Sequence, residues 1–412
     1  MQQGHHAVLI HDRREAQRLL QEIAVDPAAF VYLLPKAVFR CIKLKGIPCI
    51  AANIIKQEML AKGGEAAVKR EALYLEGTTD ILLLGTLKHY GLLLEKLKKQ
   101  PFGLKKIAAE IQAILDNLEA GERTIALAHG KELPLGQRTL IMGILNITPD
   151  SFSDGGRYME TGKAVERARE MREEGADIID IGGASSRPQS QMIDEAEELR
   201  RVLPVVKSLS REGFILSLDT FRAGVARACL DEGVHLINDI GRLQLDPGLL
   251  PVLAEKQAPV ILMHNRMQLR DESGQVIDAE KVTQDLMHYQ DLISDIIKEL
   301  GQSIEMAQEA GLGRNKIIID PGLGFGKNLA QNRLLIKRLE EFKSLGQPLL
   351  IGASRKTFIG QTLELEVGQR LEGSLAVVAM AIMNAADIVR VHDVRESKRV
   401  AMMTDAVIRE NG

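Results

Sequence analysis

Tryptophan is absent from the chain, and only nine phenylalanines and five tyrosines are spread over its 412 residues. So few rings leave little for a stacking platform of the kind that holds single-stranded nucleic acid. Charge of one sign is lacking too. Lys and Arg number 53 against 56 Asp and Glu, a net charge of −3, without the basic excess that a polyanionic partner demands. Cysteine is scarce: Cys41, Cys49 and Cys229 sit in apolar runs with no CxxC pair. They read as buried thiols in a reducing compartment, not as a disulfide framework or a zinc site. The opening residues, MQQGHHAVLIHDRRE, lack the long apolar core of a secretory signal. No apolar run reaches the roughly 18 residues a membrane span needs. The expectation is a cytoplasmic globular protein with no nucleic-acid or membrane partner.

What the chain does have, from residue 139 onward, is a repeating alternation. Apolar, β-branched runs give way to charged segments of helical period: TLIMGILN, ADIIDIGG, FILSLDT, HLINDI, PVILMHN, KIIIDPG, LLIGASRK and IVRVHD. Several of the intervening helical segments end in Gly, a common helix stop. Runs this uniformly apolar suit a parallel sheet covered on both faces, and eight strand–helix units over about 270 residues predict an α/β fold, a (β/α)8 TIM barrel. A doubly wound sheet would want GxGxxG after its first strand, and the loop after Asn146 has none. TIALAHGKELPLG (124–136) reads as a hairpin able to close the bottom of the barrel.

Residues 1–120 follow no such pattern. HAVLIHD, FVYLL and TTDILLLGT look like strands, and EAQRLLQEI, ANIIKQEMLAKG, LKHYGLLLEKLKKQ and LKKIAAEIQAILDNLEAG look like helices. They predict a small α/β or α+β N-terminal domain of unknown role, followed by the barrel at 121–412. Its Lys-rich stretch, Lys88 to Lys106, reads as a solvated helix face.

Barrel enzymes carry their chemistry at the C-terminal ends of the strands. Here those ends bear Asn146; Ser185, Ser186 and Arg187; Asp219; Asn238; His264; Asp320 with a glycine loop to Lys327; Ser354, Arg355 and Lys356; and Arg390 with His392. Any one of them is equally a turn former or a helix cap, and His264 equally a hydrogen-bonded core histidine. All eight ends, however, are polar. Arg187, Lys327, Lys356, Arg390 and His392 form a cationic set suited to an anion. Asp219 and Asp320, buried at strand tips, want donors that a planar ligand with adjacent N–H groups supplies, and Asn238 can give and accept across a heterocycle's edge. The competing reading pairs these charges as internal salt bridges. GLGFGKN is too short for a Walker loop and lacks its hydroxyl after the Lys.

In order and spacing, NITPDSFSDGG, DIGGxSxRP, SLDT, INDI, DPGLGFGKN, GASRK and RVHDV resemble the dihydropteroate synthase family, over about residues 122–412. The resemblance implies condensation of (7,8-dihydropterin-6-yl)methyl diphosphate with 4-aminobenzoate through an SN1-like step, with Mg2+ as cofactor. It implies a pterin held by Asp219, Asn238, Asp320 and Lys356, and a diphosphate held by Asn146, Arg390 and His392, with Asn146 also near the metal. Aminobenzoate falls to Ser186, Arg187, Pro188, Phe325 and Ser354. Asn146, Lys356, Arg390 and His392 are then the candidate catalytic residues. The loop after Asn146 becomes a lid, and a homodimer forms through late helices such as 371–386.

The chain departs from the family pattern in places. Where the family's second-strand motif reads GGESTRPG, this chain has Ala184 for the Glu, Ser186 for the Thr and Gln189 for the last Gly. MHNRMQLRDESG also lacks the MHMxGxP form. Two other readings remain open: a pterin-binding methyltransferase acting on methyltetrahydrofolate and a corrinoid protein, and a non-catalytic pterin-binding protein.

Overall fold

The computed structural model describes residues 4–74, 76–147, 157–183, 193–266 and 288–409, without the side chains of 157–160. It divides into two compact units, Met1–Ala120 and Gly121–Gly412. Among the described residues no helix is long and apolar enough to cross a membrane.

In the first unit, helices α1 (Arg13–Glu22) and α2 (Phe30–Ala37) precede strand β1 (Phe39–Pro48) and helix α3 (Cys49–Ala61). Strands β2 (Glu65–Val68) and β3 (Thr78–Thr86) follow, then α4 (Leu87–Leu97) and α5 (Leu104–Glu119). The three strands form an antiparallel sheet in the order β1-β3-β2. Its core is built on Ile55, Met59, Leu83, Tyr90, Leu93 and Ile111. Tyr90 is fully buried, and its hydroxyl shares its proton between the carbonyls of Arg40 and Leu83, each 3.1 Å away, so it ties β1 to β3.

Three expectations for this unit are corrected. FVYLL lies in helix α2, because Asp26 caps a turn begun by Pro27 and the chain runs on helically from there, overriding the strand preference of its aromatic and β-branched residues. HAVLIHD forms no strand, whereas FRCIKLK, after α2, does; there the burial alternates along β1, with Ile42 and Leu44 inside and Lys43 and Lys45 outside. Cys41 is exposed on that strand, whereas Cys49 and Cys229 are buried.

The second unit begins with a hairpin, β4 (Arg123–Ala126) and β5 (Glu132–Leu135). Eight parallel strands follow: β6 (Leu140–Asn146), β7 (Ile178–Gly182), β8 (Leu216–Asp219), β9 (Leu236–Asp239), β10 (Val260–Met263), β11 (Ile317–Asp320), β12 (Leu350–Gly352) and β13 (Ile388–Val391). Their order is β11-β10-β9-β8-β7-β6-β13-β12, and a bridge between Ile319 and Leu349 closes the ring. Between them run α6 (Arg157–Glu173), α7 (Glu195–Ser210), α8 (Ala223–Asp231), α9 (Leu249–Lys256), α10 (Leu292–Glu309), α11 (Leu329–Lys337), α12 (Thr357–Leu363) and α13 (Leu371–Met383), with α14 (Val394–Ile408) after the last strand. This is the barrel the alternation predicts.

Outward-facing strand residues pack with the helices in one large core. Inward residues near the strand starts (Leu140, Ile178, Leu236, Ile318, Leu350 and Ile388) meet Ile125, Leu133 and Leu135 of the hairpin in a second cluster. The hairpin therefore plugs the N-terminal end, and the polar strand tips are left at the other.

Candidate active site

Alternation along each strand aims every second residue into the barrel. At the C-terminal end the ladder pairs Asn146 with Gly182, Gly182 with Asp219 and Asp219 with Asn238, so these residues lie at one level. Asp320 is opposite Met263, and Arg390 opposite Gly352. The mouth therefore collects acids and cations from both sides of the ring closure.

Arg390 joins them. Its Nε donates to Asp180 Oδ2 and its Nη2 to Asp219 Oδ2, both at 2.6 Å. Burial works against the guanidinium's charge, but the two carboxylates hold it protonated. Burial pushes the Asp219 carboxyl above its ordinary range, Arg390 opposes that, and Asp180 adds to it. Asp320 is also raised by burial; one of its oxygens accepts the Gly322 N–H at 2.7 Å, and the charges of Lys356, Lys327 and Arg390 act against the shift. Burial lowers Lys356 to about 8. Its ammonium lies over the Phe325 ring, 4.3 Å from the centroid.

Lys327 does not join this set. Its ammonium donates to the carbonyls of Gly322 (2.9 Å) and Phe325 (3.0 Å) and contacts Nδ1 of His264 at 3.1 Å. Expected as an anion-binding cation, it instead pins the glycine loop from inside, and burial brings its pKa down to about 7. The loop needs Gly322: φ is +72°, and a Cβ there would stand 1.9 Å from the His264 carbonyl. Asn332 completes the support by accepting the Gly324 N–H and donating to the Lys327 carbonyl.

His264 is the buried core histidine that the sequence left open. An ammonium only donates, so Nδ1 accepts, and Nε2 lies 3.2 Å from Glu299. Burial lowers His264 to about 3. Burial alone would raise Glu299, yet contact with His264 and Arg266 holds it at about 2.

His392 and Ser354 meet at the rim: the backbone N–H of His392 donates to Ser354 Oγ at 3.3 Å, and its Nδ1 lies 3.1 Å from the same oxygen. Asn146 and His392 line a polar cleft of about 430 Å³ with Arg167, Glu174, Arg355 and Asp393. Ser186, Arg187 and Pro188, the departures Ala184 and Gln189, and the segment 148–156 lie outside the described residues.

Sequence reading missed Asp180, Glu299 and Asn332. Only Asp180 carries a signal: a carboxylate with isoleucines on both sides in the run IIDIG must find a partner inside.

Residues 142–392 match the family described as "Pterin binding enzyme". A dihydropteroate synthase of Clostridium beijerinckii is 43% identical over 281 residues, covering 68% of this chain and 98% of that one. The chain belongs to the dihydropteroate synthase family of pterin-binding enzymes. A solved dihydropteroate synthase from Clostridium difficile, in the presence of pteroic acid, superposes with a TM-score of 0.61 at 43% identity, covering 67% of this chain and 99% of that one. A further relative bears on the first unit. A probable bifunctional folylpolyglutamate synthase/dihydropteroate synthase of Halobacterium salinarum is 37% identical over 392 residues, 95% of this chain and 46% of that protein. That match runs well into the N-terminal unit, so a region like it accompanies a dihydropteroate synthase barrel elsewhere.

Proposed function

We propose that the chain is a transferase that joins (7,8-dihydropterin-6-yl)methyl diphosphate to 4-aminobenzoate, giving 7,8-dihydropteroate and diphosphate. One observation carries this reading: Asp219 and the buried Asp320 share the barrel mouth with Arg390 and Lys356, which divides the site between N–H donors and an anion. Asp219, Asn238, Asp320 and Lys356 hold the pterin. Arg390, His392 and Asn146 take the diphosphate. Phe325 and Ser354, with Ser186, Arg187 and Pro188, receive the aminobenzoate.

The C–O bond to diphosphate breaks first, in an SN1-like step, and the electron-rich pterin carries the positive charge left on its methylene. Arg390 and His392 meet the charge on the departing oxygens. The aniline nitrogen then attacks the methylene and loses its proton, so no strong base is required. Magnesium would rest on Asn146 and would add positive charge beside the diphosphate. Among the described residues no group of three or more His, Cys, Asp or Glu is placed to ligate a metal. A single amide oxygen suits an ion whose other ligands are phosphate oxygens and water.

We read the assembly as a homodimer through α13 and α14, which expose Met380, Met383, Met402 and Met403. Three unpaired cysteines support a cytoplasmic setting.

The test is a steady-state assay with both substrates and magnesium, following dihydropteroate by chromatography, with Lys356→Ala and Arg390→Ala alongside. Product from the parent, sharply reduced in both variants, supports the reading. Pterin binding without product favours a binding protein or a methyltransferase.

A further inference from the structure

We propose that Asp180 is a positioning residue: it tethers Arg390 by Nε, so that the guanidinium stays in the site and turns toward the diphosphate when the pterin takes Asp219. This rests on the proposed function, and it concerns a residue that the functional reading leaves without a role.

The three partners come from different strands. Asp180 lies on β7, Asn238 on β9 and Arg390 on β13. Asp180 is wholly buried, and a single oxygen, Oδ2, accepts from Arg390 Nε at 2.6 Å and from Asn238 Nδ2 at 3.1 Å. The amide thus holds the carboxylate that holds the guanidinium. Arg390 has a second handle, the Nη2 bond to Asp219. Asp219 is nearer the surface, its side chain 10% exposed against 0% for Asp180.

The two handles are not equivalent. Asp219 is the carboxylate assigned to the pterin, so an arriving N–H-rich ring competes with Nη2 for the same oxygens. Asp180 lies deeper and already has two donors. When the ring displaces Nη2, the Nε bond keeps Arg390 from leaving the mouth, and the released Nη edge becomes available to phosphate oxygens. A guanidinium presents several donors in a fixed plane and can keep one partner while exchanging another. Binding of the ring and readying of the leaving-group site become one event.

Charge balance gives the direction of the effect. One cation here serves two carboxylates, one of them wholly buried. With Asp180 neutral, Arg390 has only Asp219, and the pair that the pterin must open becomes tighter.

The experiment compares the full-length wild type with Asp180→Asn, Arg390→Ala and the double variant. It measures KM for each substrate and calorimetric affinity for the pterin diphosphate. In Asp180→Asn the KM and dissociation constant for the pterin diphosphate are expected to rise at least tenfold, while the KM for 4-aminobenzoate stays within about twofold. In the Arg390→Ala background the same substitution should lose most of that effect. A purely structural role would lower kcat or melting temperature without moving one KM selectively. Unchanged pterin constants in Asp180→Asn, or an effect undiminished without Arg390, would overturn the proposal.

Should Asp180→Asn fail to fold, the wild type labelled with 15N-arginine decides. The Arg390 Nε–H resonance, assigned with Arg390→Lys, should stay protected from solvent exchange when pterin diphosphate saturates the enzyme; its loss would overturn the tether. An active wild type with unaltered Asp180→Asn constants sinks this inference alone. A wild type that neither binds pterin nor turns over sinks it together with the proposed function.

Discussion

The two ends of the barrel use the same side chain to opposite purpose. At the base, Asp177 accepts the Ile141 N–H at 2.9 Å, Asp387 the Leu349 N–H at 2.8 Å and Asp405 the Thr139 N–H at 2.8 Å. Each takes a backbone donor that never leaves, with Arg138 adding side-chain bonds to Asp177 and the Thr139 hydroxyl one to Asp405. Asp177 and Asp387 tie neighbouring strand starts together, and Asp405 ties α14 to the start of β6. At the mouth, Asp180 and Asp219 are satisfied by the side chain of Arg390. A side-chain donor can be exchanged for a ligand; a backbone donor cannot. The Arg390 pair is the one whose donor belongs to the mouth itself, whereas Asp320 there keeps one fixed backbone donor, the Gly322 N–H.

The sharpest way to break this comparison is to neutralise one acid at each end. Asp219→Asn should weaken pterin diphosphate binding by about 100-fold, or about 3 kcal/mol, read by calorimetry. It should not lower stability at pH 8. Burial raises the folded-state pKa of Asp219, so the favourable protonated form is present at low pH and is lost as pH rises through the raised value. The amide removes that loss, and a lower unfolding free energy at pH 8 would count against the distinction.

The buried histidines should behave alike at both ends. His235 at the base accepts the Leu216 N–H at 3.1 Å and is lowered to about 4 by burial, with Lys131 and His129 adding to it. His264 near the mouth is lowered to about 3 by burial, with Lys327 and Arg242 on one side of the balance and Glu299 on the other. Depressed values mean stability that is present above the ordinary histidine range and lost as pH falls from about 6.5 toward the folded values. Denaturant melts at pH 7.5 and pH 5 should therefore differ, and His264→Gln or His235→Gln should each remove about 2 kcal/mol of the difference. An undiminished acid slope in both variants would refute it.

Asp405→Ala should cost about 1–2 kcal/mol by orphaning the Thr139 N–H, with both KM values unchanged. A kinetic change would mean that the base is coupled to the mouth. The smallest effect concerns helix ends. After α6 the chain turns through Gly175 at φ +104°, whereas after α13 the equivalent bend is made by Ala385 at φ +73°. Ala385→Gly should gain about 0.5–1 kcal/mol by relieving a left-handed alanine, seen as a higher melting temperature.

The barrel was legible because each of its strands is buried on both faces and so appears as an unbroken apolar run. β1 hid for the opposite reason: one face is wet, and FRCIKLK alternates instead of clustering. α2 hid behind aromatic and β-branched residues, although Asp26 and Pro27 announced a helix start. In the site, Asp219 and Asp320 were readable because they end their strands. Asp180 lies two residues deeper and passes for core. Lys327 misled because its partner His264 is 63 positions away, and nothing local says that a lysine after a glycine loop faces inward.

The strand order has a consequence for assembly in time. β13, the last strand made, slots between β6, the first of the ring, and β12, and Arg390 reaches Asp180 across 210 positions of chain. Contacts of such separation form late, after the entropy of closing a long loop has been met. Until β13 docks, the acids of the mouth face one another without their cation, and like charge resists a premature collapse of the half-built site. A nascent or nicked barrel lacking that strand therefore has neither its last two hydrogen-bonded ladders nor its charge balance. Competence for pterin arrives only when the ring is closed.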